Sequence, residues 1–300
     1  METTDPNYFA KVIADSLNVE TGSRLTSIHL RLPWYITPEL LRHRVFSFSS
    51  RSTRAVPVNV MLEQVRNNPC IPPHFGMNKR GMQADTEIDH ESTTRALMFI
   101  RRMAAFCAND VQDMSEMRLH KQVANKYLMP WLWCDILVSS VTWANFLALR
   151  LHPDAAPEMQ IIARLMADAL VESEPRYVES GDWHTPFVTR EEHGDIYAAI
   201  GDTKSHGDVR IQKISAARIA RISVTNFEDA IINYQKDIDL ADRLITSKPV
   251  HASPFEHVAK AGPRGVGTGN YGKDSGWLQI RSLLSGHTAT SVEWKGKLIQ

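Results

Sequence analysis

Long apolar runs are missing from this chain. None reaches the roughly 18–20 residues a membrane-spanning helix needs, so no membrane partner is expected. The opening METTDPNYFAKVIADSL has no basic segment followed by an apolar one, and no secretory signal is expected there. Cysteine is scarce: Cys70, Cys107 and Cys134 are too few and too scattered for a disulfide framework or a zinc knuckle. Each reads first as a small buried hydrophobe, and a reducing cytoplasm is the expected compartment. The histidines show no close ligand spacing such as HExxH, so no metal is expected. Net charge is missing too, since 34 Lys and Arg balance 34 Asp and Glu. Without a basic field, a nucleic-acid backbone is not an expected partner. Small anions need only a few local arginines and stay open.

What is present is 300 residues of 43% hydrophobic content, enough for a sizeable core. Residues 26–32 (TSIHLRL) alternate apolar and polar and predict a half-buried strand. Thr37, Pro38 and Glu39 supply an N-cap, a first-turn proline and a first-turn acid, opening a short helix that delivers Arg42, His43 and Arg44 near its end. Residues 46–57 read as a Ser- and Arg-rich loop. Helical spacing then predicts helices near 58–67, 91–108, 115–129, 132–150 and 157–173. A short helix is expected near 189–200, a strand or helix at 211–224 and a helix at 226–246. Residues 262–276 hold six glycines in fifteen residues and predict a mobile loop. No repeat or coiled coil is visible.

The densest chemistry is Arg42-His43-Arg44 followed after seven residues by Ser52 and Arg54. Guanidinium groups bind phosphates and planar base edges through a fixed fork of donors. Neighbouring helical side chains diverge, so Arg42 and Arg44 can serve two ligands. The plainer alternative is a solvated basic helix end answering the helix dipole.

This RHR-x7-S-x-R pattern resembles the signature of flavin-dependent thymidylate synthases. Four further segments resemble that family: HKQVANKYLMP at 120–130, NFLALRLHPDAAPE at 145–158, RIARIS at 218–223 and HASPFEH at 251–257. The last two precede the RHR motif in the ordinary family and follow it here, an order similar to that of a phage-encoded group and read as a circular permutation. The resemblance implies a single α+β domain over 1–300, an antiparallel sheet with surrounding helices, with insertions near 69–115 and 174–210. It implies transfer of a one-carbon unit from 5,10-methylenetetrahydrofolate to C5 of dUMP, with FAD and NADPH supplying hydride. It also implies a homotetramer in the cytoplasm (the host's, for a phage protein), because Arg150 and the RHR segment would meet across a subunit boundary.

By the same resemblance Glu39, Arg42, Ser52, Thr53, Arg54, Lys126 and Arg150 bind the nucleotide, with Ser52, Arg42 and Arg150 at the reacting centre. His43, Arg44, Asn145, Ser223, His251, Ser253 and Glu256 bind the flavin. Lys126 stands where the family has an arginine, and it keeps the charge without the planar fork. Ser49, Ser50, Ala55 and Asp154 replace family residues that face the flavin, and Ser139 stands for a flavin-contacting asparagine. These changes fall on the flavin side, so a second product is weighed: attack of water in place of hydride would leave a 5-hydroxymethyl group on dUMP or dCMP. Were flavin lost, Cys70 is a candidate nucleophile for C6. A third reading is a nucleotide- or flavin-binding protein without catalysis.

Overall fold

In a computed structural model of the chain, the alternating stretch at 26–32 lies inside a strand, Arg24–Pro33 (β2), preceded by a strand over Phe9–Asn18 (β1). The structure describes residues 5–200, 204–223, 233–288, 291–295 and 297–299. They fall into two units, Met1–Asp15 with Thr26–Glu174 and Arg221–Ala230, and Ser16–Leu25 with Pro175–Ala220 and Ile231–Gln300.

The first unit is built on strands in the order β3-β4-β2-β1, where β3 is Ser47–Ser50 and β4 is Trp133–Ser140. β4 runs antiparallel to β2, from Thr26 opposite Ser140 to Pro33 opposite Trp133, and antiparallel to β3. Two expectations change here. The helix predicted over 132–150 is a strand followed by a short helix, Ala144–Arg150. Every residue of β4 is buried, and a strand covered on both faces reads as a continuous apolar run that periodicity cannot tell from a helix. The loop expected at 46–57 contains β3, whose serines carry little strand signal and are held by the pairing with β4.

Helices complete the unit: α1 (Thr37–Leu40), α2 (Val58–Asn67), α3 (His90–Glu116), α4 (Lys121–Ala124), α5 (Ala144–Arg150) and α6 (Pro157–Glu172). α3 starts at Asp89, whose carboxylate accepts from the Ser92 N–H at 2.9 Å. It outlasts the predicted end at 108 and stops before Arg118, which adopts a left-handed φ of +64°. The helix predicted over 115–129 is therefore only α4 and a 3-10 turn, Asn125–Trp131, with Pro130 inside it. α6 begins with Pro157 and Glu158 and buries Met159, Ile162, Ala163 and Met166 against Ile28, Leu30, Ile136 and Val138 of the sheet. In a separate cluster, α2 and α3 pack Met61, Leu62, Val65, Ala104, Ala108 and Val111 together.

In the second unit, Ser16–Asn18 of β1 pair in parallel with β5 (Arg176–Val178). A separate antiparallel sheet orders β6 (Trp183–His184), β7 (Ala259–Ala261) and β8 (Trp277–Gln279). Helices α7 (Arg190–Ile200), α8 (Lys204–Arg221) and α9 (Tyr234–Thr246) bury Ile196, Ile211, Ile214 and Ile238 together. The segment at 211–224 is thus helical up to Arg221. The part of the predicted 226–246 helix before residue 233 lies outside the described residues. The glycine-rich stretch 262–276 is tied down, since Asn18 Nδ2 donates to the carbonyls of Gly262 at 2.9 Å and Gly276 at 3.1 Å. Gly276 has a φ of +74°, and a Cβ there would lie 2.6 Å from Thr21 and 2.8 Å from Asn18, so the turn demands glycine.

The architecture is α+β, with mainly antiparallel pairing. Among the described residues no helix is long and apolar enough to cross a membrane.

Candidate functional site

α1 is four residues long, and the chain leaves it through Leu41 and Arg42 to His43. Phe46, fully buried beside Trp143 and Phe146, anchors this corner to the core. The His43 ring packs edge-on against Phe146 with centroids 4.8 Å apart and stacks with Phe46 at 5.7 Å. Arg42 and Arg44, on either side of it, are exposed. α5 brings Arg150 to the same place. Its Nε donates to His43 Nε2 at 3.1 Å, and its guanidinium lies 3.5 Å from the Glu39 carboxylate. The meeting of Arg150 with the RHR segment, expected across a subunit boundary, occurs within one chain.

Because Nε2 accepts from Arg150, the proton of a neutral His43 sits on Nδ1. Burial lowers its pKa and the Arg150 charge lowers it further, against an opposing pull from Glu39, so the ring is neutral at pH 7. Glu39 Oε2 is buried without a hydrogen-bond partner. The corner therefore holds an unspent carboxylate oxygen, a neutral imidazole N–H and three guanidiniums.

The second half of the motif is a turn. The carbonyl of Ser52 accepts from the N–H groups of Ala55 and Val56 at 3.0 and 3.2 Å, and its Oγ accepts from Arg54 N at 3.3 Å. Arg54 is exposed and Thr53 buried. Three remote residues hold the turn. Asn125 Nδ2 donates to Thr53 O at 2.8 Å and Val56 O at 3.0 Å, and Lys121 Nζ donates to Ala55 O at 2.7 Å. Ser223 O accepts from Ser52 N at 3.1 Å. The last contact joins two expected site residues far apart in sequence. Asn125 and Lys121 are additions that motif reading missed, although both lie in the matching segment at 120–130 and Asn125 is fully buried. Asn125→Ala should lower stability by about 1–3 kcal/mol, because two carbonyls lose their donor. Amide hydrogen exchange at residues 54–56 should speed up with it. Unchanged exchange there would remove Asn125 from the clamp.

Other expected residues are more dispersed. Lys126 is exposed on the 3-10 turn, and Asn145 is exposed in the first turn of α5. Ser139 is buried on β4, its hydroxyl 2.5 Å from that of Ser27. Asp154 is exposed, 3.6 Å from His152. His251, Ser253 and Glu256 belong to the second unit, where His251 and Ser253 are exposed and Glu256 pairs with Arg281. Cys70 is not placed as a nucleophile: it is packed in a cluster with Tyr8, Trp133 and Ile161, and burial pushes its thiol well above the ordinary range. Cys134 is likewise buried and pushed up to about 12. All three cysteines are free. Among the described residues no group of three or more His, Cys, Asp or Glu is arranged to hold a metal ion.

Behind the turn lies a charged cluster that motif reading also missed. Asp135, buried on β4, accepts from Arg31 Nε at 3.0 Å and lies 2.9 Å from its Nη2, 3.2 Å from His29 and 3.6 Å from Arg51. Its carbonyl accepts from Arg51 N at 2.8 Å, fixing the residue before Ser52. Burial would raise the Asp135 pKa, but donation from His29 and the charge of Arg31 outweigh it and hold the carboxyl below its ordinary range. The signal in the sequence was a lone acid inside the apolar run WCDILVSS, which a buried strand tolerates only when the charge is paired.

No curated protein matches the chain. Among solved structures, the UMP/dUMP methylase PolB from Streptomyces cacaoi bound with 5-Br UMP is 14% identical over 55% of this chain and 89% of that one, with a TM-score of 0.46. Thymidylate synthase X from Helicobacter pylori, with FAD and dUMP, is 19% identical over 49% of this chain and 67% of that one, with a TM-score of 0.32. A family model described as thymidylate synthase complementing protein matches residues 25–176, just over half of the chain, and takes in β2, the RHR corner, the Ser52 turn, β4 and α5. The chain belongs to the thymidylate synthase complementing protein family.

Proposed function

We propose that the chain transfers a one-carbon unit from 5,10-methylenetetrahydrofolate to C5 of dUMP, forming thymidylate. It is an enzyme of pyrimidine nucleoside monophosphates by its family. The observation that carries the finer reading is the corner where Arg150, His43 and Glu39 meet beside exposed Arg42.

Arg42 and Arg150 would grip the base and polarise it toward attack at C5, a charge-stabilising role that needs fixed donors. His43 fixes Arg150 through Nε2 and keeps Nδ1–H as a donor. Glu39 Oε2 offers an acceptor to a ligand N–H or O–H. The Ser52–Arg54 turn, clamped by Asn125 and Lys121, would present Ser52 to the pyrimidine and Arg54 to its phosphate, with Thr53 holding the backbone between them. Exposed Lys126 adds positive charge nearby in the matching segment.

The chemistry of the exposed donors Arg44 and Asn145 fits an anionic dinucleotide, and these two with His43 and Ser223 would hold FAD. Reduced FAD, recharged by NADPH, supplies the hydride that completes a methyl group. The contact between Ser223 and Ser52 supports the permuted reading, because it brings the RIARIS segment back to the motif it precedes in the ordinary family.

A second reading is favoured by two spent groups. Glu256 pairs with Arg281, and the Ser139 hydroxyl bonds to Ser27, so two positions assigned to flavin are used inside the protein. Water in place of hydride would then give a 5-hydroxymethyl nucleotide from dUMP or dCMP. The two are separated by adding dUMP and methylenetetrahydrofolate to the purified protein and following NADPH. Oxidation of NADPH that needs both substrates, in a protein that retains FAD, is the expected result. A product formed without NADPH would replace methylation by hydroxymethylation.

A further inference from the structure

Between β2, β4 and α2 the first unit contains a cavity of about 340 Å³, at the small end of the roughly 300–1,000 Å³ typical of ligand pockets. Arg31, Arg51, Gln64 and Trp133 line it, and none of them is in the set assigned to the nucleotide or flavin. Three of the four carry buried atoms with no hydrogen-bond partner: Arg51 Nε, Trp133 Nε1 and both amide atoms of Gln64. Arg51 is itself only 7% exposed. Leaving such donors unpaired costs about 1–3 kcal/mol each, a cost that an acceptor in the cavity would offset when these side chains turn toward it.

The kind of occupant follows from the balance of groups. Among the lining residues unspent donors outnumber unspent acceptors, because Gln64 Oε1 stands against Arg51 Nε, Trp133 Nε1 and Gln64 Nε2, with Asp135 Oδ2 a further unpartnered acceptor beside Arg51. The lining amides Asn7 and Asn68 bond to each other and add no demand. Arg31 and Arg51 share the single carboxylate of Asp135, which leaves one guanidinium charge uncompensated there. The acid among the lining residues, Glu63, is exposed. An aliphatic or cationic ligand would leave the donors unpaired, and a neutral one would leave the charge unmet.

We propose that this cavity binds a small oxyanion, the phosphate or carboxylate group of a metabolite, at a site distinct from the one assigned to Arg42, Ser52, Arg54 and Arg150, although Arg51 is the residue just before Ser52. Arg51 would be its principal donor, with Trp133 and Gln64 completing the cradle and Arg31 adding charge.

The test is calorimetric titration of the full chain with inorganic phosphate and, separately, with succinate, at constant ionic strength set by chloride. Saturable binding of either anion is expected, weakened about ten- to hundredfold by Arg51→Gln, as loss of a charged hydrogen bond implies. Gln64→Met and Trp133→Phe, which leave Asp135 and its arginines in place, should each weaken it less, and Arg54→Ala should leave it intact. Phosphate without succinate would identify the group as a phosphate, and the reverse as a carboxylate. The proposal is overturned if neither anion binds saturably. It is equally overturned if Arg54→Ala abolishes binding while Gln64→Met and Trp133→Phe leave it unchanged, since the anion would then occupy the motif instead.

Discussion

Replacing Arg150 by alanine should weaken binding of dUMP about ten- to hundredfold, the loss expected when a charge-assisted hydrogen bond worth about 1.5–3 kcal/mol is removed. The guanidinium is largely shielded, with a side-chain exposure of 17%, and is aimed by His43 and Glu39. Truncation therefore removes a positioned donor and also frees the His43 ring and the Glu39 carboxylate it holds. Arg42→Ala should lose affinity by a similar factor through direct loss of an exposed donor. Arg42→Lys should recover little if the planar fork is what the base recognises, because an ammonium keeps charge without paired donors. Calorimetry with dUMP reads all three. Unchanged affinity in both alanine variants would move the nucleotide site elsewhere on the chain.

Asp135→Ala is expected to lower folding stability by about 3–5 kcal/mol, because one carboxylate answers Arg31, Arg51 and His29 and its loss leaves buried Arg51 uncompensated. Replacing the whole cluster should hurt less than breaking it, so Asp135→Leu with Arg51→Met should be milder than Asp135→Ala alone. Denaturant unfolding with a common slope measures each difference. The same group sets an acid limb. Its folded pKa lies below the unfolded value of about 3.9, so its contribution is complete above that pH and is lost as pH falls through the folded pKa. A loss in Asp135→Ala below about 1 kcal/mol would mean that solvent, not the protein, screens the cluster.

Elements with one buried face were legible in the sequence. β2 shows alternation because His29 and Arg31 are less buried than Ile28, Leu30 and Leu32, and α2 and α6 show helical spacing because one side of each meets water. α1 shows Pro38 and Glu39 in its first turn, but Thr37, expected as the N-cap, lies inside the helix and makes no cap hydrogen bond. β4 was hidden because both its faces are covered and its apolar run has no period. The end of α3 was hidden because it depends on a left-handed Arg118, a residue type that does not announce that conformation. At the site, the RHR and Ser52 segments could be read as motifs. Their assembly could not, since Arg150 reaches His43 across 107 residues and Asn125 reaches Thr53 across 72. Those contacts come from tertiary packing, on which local spacing is silent.

Transfer of carbon to C5 of a pyrimidine nucleotide is tested most directly by mass spectrometry of the nucleotide after incubation with the protein and methylenetetrahydrofolate. With FAD and NADPH present, dUMP should gain about 14 mass units, the addition of one CH2. A gain of about 30 would signify a hydroxymethyl group and keep the transfer while changing its last step. Recovery of dUMP and dCMP at unchanged mass, from protein that binds them, would contradict the account and leave a nucleotide-binding protein without this chemistry.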